Sequence, residues 1–170
     1  ANASHLTSVV IPDSVYRIGE RAFSNASNLH SLSMGSNVAF IDSFAFEHNK
    51  SLESFEIPDT LQHLGESVFN GSNKITGMDI SESHEVFYVY QDTGVLFNKD
   101  KTDLIYFFKD VEEDSTYNIP NTVTTVRAGA FEGNSKLSNV TIPDSVRYSE
   151  TDAFARMGAL SSIHIPSSVV

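Results

Sequence analysis

Short runs along the chain alternate apolar and polar residues with a period of two, as in Val9-Val10-Ile11 and Phe55-Glu56-Ile57. Period two predicts a strand with one face buried and the other in solvent. Each run is short, and in five copies a proline closes it: Pro12, Pro58, Pro120, Pro143 and Pro166 are all the prolines in the chain. A proline supplies no amide hydrogen, which suits the last residue of a rung and not its middle. Asp13, Asp59, Asn121 and Asp144 follow, turn residues able to accept from nearby backbone amides. Further on, a small residue and a ring recur as Ala22-Phe23, Ala45-Phe46, Ala130-Phe131 and Ala153-Phe154, with Val68-Phe69 as a variant. This pair predicts a tight corner, the small residue against the neighbouring coil and the ring plugging the interior.

The whole pattern repeats. Leu6, Leu29, Leu52 and Ile75 stand 23 residues apart, as do Leu137 and Leu160, and a further copy starts at Asp114 with its first apolar position lost. Aligned on this period, one column reads Val9, Leu32, Phe55, Met78, Tyr117, Val140, Ile163 and the next reads Ile11, Met34, Ile57, Ile80, Ile119, Ile142, Ile165. A third holds Val15, Val38, Leu61, Val123, Val146 and Val169; a fourth holds Ile18, Ile41, Leu64 and Val126 and is broken at Ser149. A period of this length predicts stacked units, because one coil cannot bury enough apolar surface to offset the ordering of its own backbone. The strands then form a parallel ladder that rises about 4.8 Å per coil. We number the coils one to seven: residues 6–28, 29–51, 52–74, 75–113, 114–136, 137–159 and the partial 160–170. Coil four is longer than the rest and holds an insertion. The opening ANASH resembles the tail of a repeat and IPSSVV stops partway round a coil, so the expectation is one solenoid cut from a longer array.

These columns, L-x-x-V-x-I-P-D-x-V-x-x-I-G-x-x-A-F, resemble the leucine-rich repeats of the BspA-like, treponemal-type surface proteins. Residues 94–101 are similar to a GVLFNKD hairpin often inserted in that family. The resemblance implies a leucine-rich repeat solenoid, a right-handed superhelix of the α/β type, mostly strand and loop, with a parallel sheet on its concave face and short helical or 3-10 corners. It also implies a non-catalytic adhesion module at a microbial surface, extracellular, whose partner is a host, matrix or other cell-surface protein. Where the family commonly carries a cysteine, this chain has Ala26, Asn49, Ser72, Asn134 and Met157, and the glycine after the fourth column persists only at Gly19 and Gly65.

Composition narrows the partner classes. Twenty-two acids against eleven Lys and Arg give a net charge of −11, which opposes nucleic acid and anionic membrane faces. No apolar window is long enough for a membrane helix, and the first residues lack a basic, then apolar, leader. With no cysteine there is no disulfide framework and no thiolate chemistry. His5, His30, His48, His63, His84 and His164 make no metal-binding spacing, and no nucleophile elbow or phosphate loop occurs. The expectation is therefore no enzyme, no cofactor and no metal. Glu56 and Asp79 would occupy adjacent rungs, but no Asp-rich calcium loop accompanies them, and the acids Asp110, Glu112, Glu113 and Asp114 read as a solvated loop. Five N-x-S/T sequons start at Asn2, Asn25, Asn49, Asn70 and Asn139.

A row of residues at fixed spacing on a rigid ladder is the natural binding surface. The outward rung positions in one column are Ser8, Ser31, Ser54, Gly77, Thr116, Asn139 and Ser162, and in the other Val10, Ser33, Glu56, Asp79, Asn118, Thr141 and His164. They contain no Tyr, Trp or Arg, the residues that dominate binding energy at interfaces. Aromatics gather instead in the insertion: Phe87, Tyr88, Tyr90, Phe97, Tyr106, Phe107 and Phe108. A strand from Leu104 would turn Leu104, Tyr106 and Phe108 to one side and Ile105, Phe107 and Lys109 to the other. Either the hairpin roofs its own coil, or Tyr88, Tyr90, Tyr106 and Phe108 form a protruding edge for a partner. Two further readings stay open: a passive spacer that displays another domain, and a parallel β-helix acting on carbohydrate.

Overall fold

The computed structural model describes residues 3, 5–90, 94–108 and 111–170; Asn2, Lys109 and Asp110, named above, lie outside the described residues. It is a β-solenoid of about seven turns. Coil one carries β1 (Ser8–Val10) and β2 (Arg17–Ile18), coil two β3 (Ser31–Ser33) and β4 (Phe40–Ile41), coil three β5 (Ser54–Glu56) and β6 (His63–Leu64). Coil four holds β7 (Gly77–Asp79), β8 (Phe87–Tyr90), β9 (Val95–Asn98) and β10 (Asp103–Phe107). Coil five has β11 (Ser115–Asn118) and β12 (Thr125–Val126), coil six β13 (Leu137–Thr141) and β14 (Tyr148–Ser149), and β15 (Ser162–His164) opens coil seven. Pairing between coils is parallel and follows the repeat: Val9 faces Leu32, Phe55 faces Met78, and Val140 faces both Tyr117 and Ile163.

Each strand ends for the reason its sequence suggests. The carbonyl of Pro12, Pro58, Pro120, Pro143 or Pro166 accepts from the amide three residues on, at 2.9–3.1 Å, so the proline gives up a donor and closes the turn with its acceptor. Asp13 accepts from the Ser36 amide at 2.8 Å and its hydroxyl at 2.9 Å, tying one turn to the next. These bonds hold the Asp13 carboxyl below its ordinary value.

At the corners the structure differs from the helical or 3-10 expectation. Among the described residues there is no helix; the corners are runs of hydrogen-bonded turns. Two positive-φ residues per corner reverse the chain before a helical turn propagates, at Arg21 and Asn25, Phe44 and His48, Ser67 and Gly71, Gly129 and Gly133, Asp152 and Arg156. Amides then donate across coils, Phe23 to Ala45 O at 2.9 Å and Phe46 to Val68 O at 3.0 Å. Gly65 marks the tightest approach of backbone to backbone, because a Cβ there would lie 2.3 Å from Ser43 N.

The rings of the corner column stack along the solenoid. Phe23, Phe46 and Phe69 follow one another at 5.3 and 6.5 Å, and Phe107, Phe131 and Phe154 at 5.2 Å each. Tyr106 joins the first set through Phe69 at 5.2 Å. Stacking buries the columns: Leu29, Leu52, Ile75 and Leu137 are inside, while Leu6 and Leu160 in the outermost coils are half-buried and Ile165 is 49% exposed.

The insertion is neither a roof nor a protruding arm. Strands β8, β9 and β10 form an antiparallel meander whose last strand pairs in parallel with β12, Leu104 facing Val126. The meander therefore takes the place of coil four's second strand and corner, and stands as a partition between two cores. Phe87, Val89, Leu96, Tyr106 and Phe108 pack with coils one to four, whereas Val95, Phe97, Leu104 and Phe107 pack with coils five to seven. A register shift between Leu104 and Tyr106 turns those two residues to opposite cores; from Tyr106 on the sides alternate, and Tyr106, Phe107 and Phe108 are buried in succession because the strand has a core on each face.

Candidate protein-binding surface

The parallel registers place the predicted rung residues in rows. Ser8 lies opposite Ser31, and Val10 opposite Ser33. Ser54 lies opposite Gly77 and Glu56 opposite Asp79. Thr116, Asn139 and Ser162 form one row of three, and Asn118, Thr141 and His164 another. All the predicted rung residues are exposed except Gly77 and Asn139, which are half-buried, and Val10 is the most open large apolar residue on this face, at 77%. The ladder is in three blocks, with no strand pairing between β3 and β5 or between β7 and β11. Glu56 and Asp79 have no third ligand: among the described residues no group of three or more His, Asp or Glu could hold a metal ion.

Of the four insertion aromatics, two do not reach the surface. Tyr106 and Phe108 are each 6% exposed, so they are core residues and not part of a binding edge. The Tyr106 hydroxyl donates to Ser72 O at 3.3 Å, and burial, with Glu132 nearby, pushes its pKa up, keeping that proton in place. Tyr88 is half-buried and Tyr90 is 39% exposed; their rings meet edge-on at 5.4 Å. Lys101 places its ammonium 4.0 Å from the Tyr88 ring centre and 5.1 Å from that of Tyr90. Such cation–π contacts hold a cation without a carboxylate.

Sequence reasoning missed a second outward row. On β2, β4 and β6, Arg17, Phe40 and His63 are in register. Tyr16 leans on Phe40 at 5.3 Å, Phe40 on His63 at 6.1 Å, and Arg17 lies over Phe40 at 5.7 Å. Arg17 also pairs with Asp42 at 2.8 Å, which raises the arginine pKa. Tyr148 on β14 is exposed in the matching column. These are interface-type residues that the first rung face lacks. The available signal was the polar or aromatic residue before each fourth-column position.

Coil four's altered path also leaves a cleft of about 250 Å³ between the second strands of coils three and five. Its floor includes Val86 and Ile105, and its rim His63, Glu66, Asp103 and Arg127. Arg127 is held by Asp103 at 3.5 Å and Glu150 at 3.2 Å.

Comparisons with known proteins agree with this geometry. Residues 1–92 and 105–170 match the model of the BspA type leucine-rich repeat region in six copies. The chain is similar to the crystal structure of the pneumococcal vaccine antigen PcpA, with 30% identity and a TM-score of 0.87 over 97% of this chain and 40% of that one. A leucine-rich cell surface protein of Faecalibacterium prausnitzii is 29% identical with a TM-score of 0.83, over 99% of this chain and 45% of its own. A leucine-rich repeat protein of Eubacterium ventriosum shares the fold at 24% identity and a TM-score of 0.80, over 96% of this chain and 49% of its own. The chain thus spans less than half the length of each of these three. No match is found among curated protein sequences.

Proposed function

Since the chain belongs to the BspA-type leucine-rich repeat family, we propose that it is a non-catalytic protein-binding segment of a microbial surface protein, engaging a host, matrix or other cell-surface protein. One observation carries this reading: in-register rows of exposed, mostly polar side chains, set out in three strand-paired blocks between Ser8 and His164. A rigid row loses little entropy when a partner docks. The exposed Arg17, Tyr16 and Tyr148 add side chains of the kind that anchor interfaces. Extracellular placement is supported by the printed names of the pneumococcal and Faecalibacterium proteins. The net charge of −11 favours a basic protein face over nucleic acid or an anionic membrane.

The test is binding to immobilised host matrix and surface proteins. Arginine at Ser54, Thr116 and Thr141, all exposed rung positions, should lower binding at least about tenfold without changing the unfolding temperature. A protein that returns only background from the whole panel is a spacer, and the reading falls. Release of reducing ends from a polysaccharide panel would instead mark a carbohydrate enzyme.

A further inference from the structure

The turns that close the first strands differ in charge along the solenoid. In coil one the turn acid, Asp13, is already taken by the Ser36 amide and hydroxyl. In coils five to seven the positions equivalent to Glu56 and Asp59 hold Asn118 and Asn121, Thr141 and Asp144, and His164 and Ser167. Coils three and four instead set Glu56, Asp59 and Asp79 around one open groove of about 440 Å³, and all three are exposed. No Lys or Arg lies between Lys50 and Lys74 or between Lys74 and Lys99. Among the described residues none of the three carboxylates is in an ion pair. Glu56 stands directly opposite Asp79 on paired strands, and like charges so placed repel.

The groove opens where the first-strand ladder is broken. Ile11 N donates to Ser33 O at 2.9 Å and Ile57 N to Asp79 O at 2.8 Å, but the equivalent Met34 amide makes no such bond to Glu56 O, and β3 and β5 do not pair. Gly35 replaces the proline of coils one and three and lies hard against coil one, where a Cβ would meet Pro12 O at 2.6 Å. Through these strands the backbone of coil two is bonded to coil one and not to coil three. Met34 and Ile80, both half-buried, give the opening an apolar floor beneath its acidic rim.

We propose that this groove receives a Lys- or Arg-bearing segment of the partner protein, with the basic head between Glu56 and Asp79 and a neighbouring apolar side chain on Met34 and Ile80. The unbalanced charge asks for a cation, and among the described residues no group of three or more His, Asp or Glu could hold a metal ion. A guanidinium or ammonium meets two carboxylates without a fixed ligand shell, and its long stem lies along apolar surface while its charge stays at the rim. The unbranched Met34 thioether adapts to side chains of different shape. The inference rests on the protein-binding reading and deepens it: within the rows between Ser8 and His164 it places the contact at coils two to four and names the chemistry of what docks.

The probe is the end-blocked peptide Gly-Arg-Leu-Arg-Gly, titrated into the whole chain and followed by backbone amide NMR. Saturable one-to-one binding is expected, shifting the signals of Glu56, Asp59 and Asp79 and leaving those of coils five to seven in place. Gly-Glu-Leu-Glu-Gly should not bind, and Gly-Arg-Ser-Arg-Gly should bind at least about threefold more weakly, having lost the apolar contact. Glu56→Gln combined with Asp79→Asn should weaken the arginine peptide about tenfold. Because both positions are exposed and the change removes two facing like charges, the unfolding temperature should not fall. Thr116→Arg with Thr141→Arg, on the distant rungs, should leave peptide affinity unchanged. The inference is overturned if the peptide does not saturate up to millimolar concentration, if the neutralised pair binds it equally well, or if calcium ions alone saturate the same three residues. Background binding across the host-protein panel with intact peptide binding removes the adhesion reading and keeps the groove; panel binding that the neutralised pair leaves unchanged does the reverse.

Discussion

Coil two and coil four fill the same columns by opposite means. Coil two, residues 29–51, makes two short strands and a turn-rich corner, and its Phe46 ring is fully buried between Phe23 and Phe69. Coil four abandons the corner after β7 and sends a meander through the solenoid, with Leu104 in the fourth column and Tyr106 and Phe107 completing the ring stack. Interior shape is thus conserved where backbone path is not. What coil four does not reproduce is the backbone edge: among the described residues no backbone amide donates to Gln62 O or Leu64 O of coil three, whereas the equivalent carbonyls of coils one, two, four and five all accept from the next coil.

The largest expected effect tests whether the partition is as structural as a regular coil. Phe46→Ala and Phe107→Ala should each cost about 3–5 kcal/mol, since both remove a buried ring and leave a cavity. Phe154→Ala, whose ring is half-buried in coil six, should cost about half as much. Urea denaturation of the three variants decides it; a Phe107→Ala cost near that of Phe154→Ala would mean the meander is only appended to the solenoid.

A smaller effect separates two neighbours in the column where the family often carries a cysteine. Ser72 accepts from the Asn49 amide at 2.9 Å and donates to Phe46 O at 2.7 Å, so Ser72→Ala strands two buried backbone groups and should cost about 1–3 kcal/mol. Asn49 is fully buried and both polar atoms of its side chain lack a partner. Asn49→Cys removes that unmet carboxamide and should stabilise by about 1 kcal/mol. Thermal unfolding of both variants should shift in opposite directions. The same burial argues that the Asn49 sequon carries no glycan in the folded protein.

The smallest effect concerns pH at the junction of coils three, four and five. Burial raises the Glu132 carboxyl above its ordinary 4.5, with Asp152 and Glu47 adding to the rise and Arg156 and His48 opposing it. One oxygen meets Arg156 at 2.8 Å and the other is buried without a hydrogen-bond partner. The folded state therefore holds the Glu132 proton more tightly than the unfolded chain does. Stability from this group is fully present below pH 4.5 and is lost as pH rises through the higher folded value. Glu132→Gln should remove that part of the pH slope, read from denaturation midpoints across mildly acid pH. An identical slope in the variant would show that another carboxyl titrates there.

How far the sequence reached can be followed residue by residue. Val9, Leu32, Phe55 and their successors were legible as a column because the period fixes which residue lies above which, and the same reasoning placed Ser54, Thr116 and Thr141 outward. The positive φ at Arg21, Phe44 and Asp152 was not legible, since these residue types carry no preference for it and only the corner's cross-coil bonds impose it. Alternation alone leaves open whether Tyr106 and Phe108 face a partner or the interior, and it is the second core on the far side of β10 that leaves neither face of the strand to solvent.

By itself, then, the sequence determined the repeat, the parallel stacking, the turn at each proline and the outward rows, because in a periodic chain every neighbour is set by counting. Tertiary structure alone decided what the aperiodic segment does: that it divides the core, which of its aromatics stay wet, and that coil three keeps an open edge. An insertion has no equivalent residue in the adjacent coil, so its partners follow from packing and from which backbone groups reach each other first.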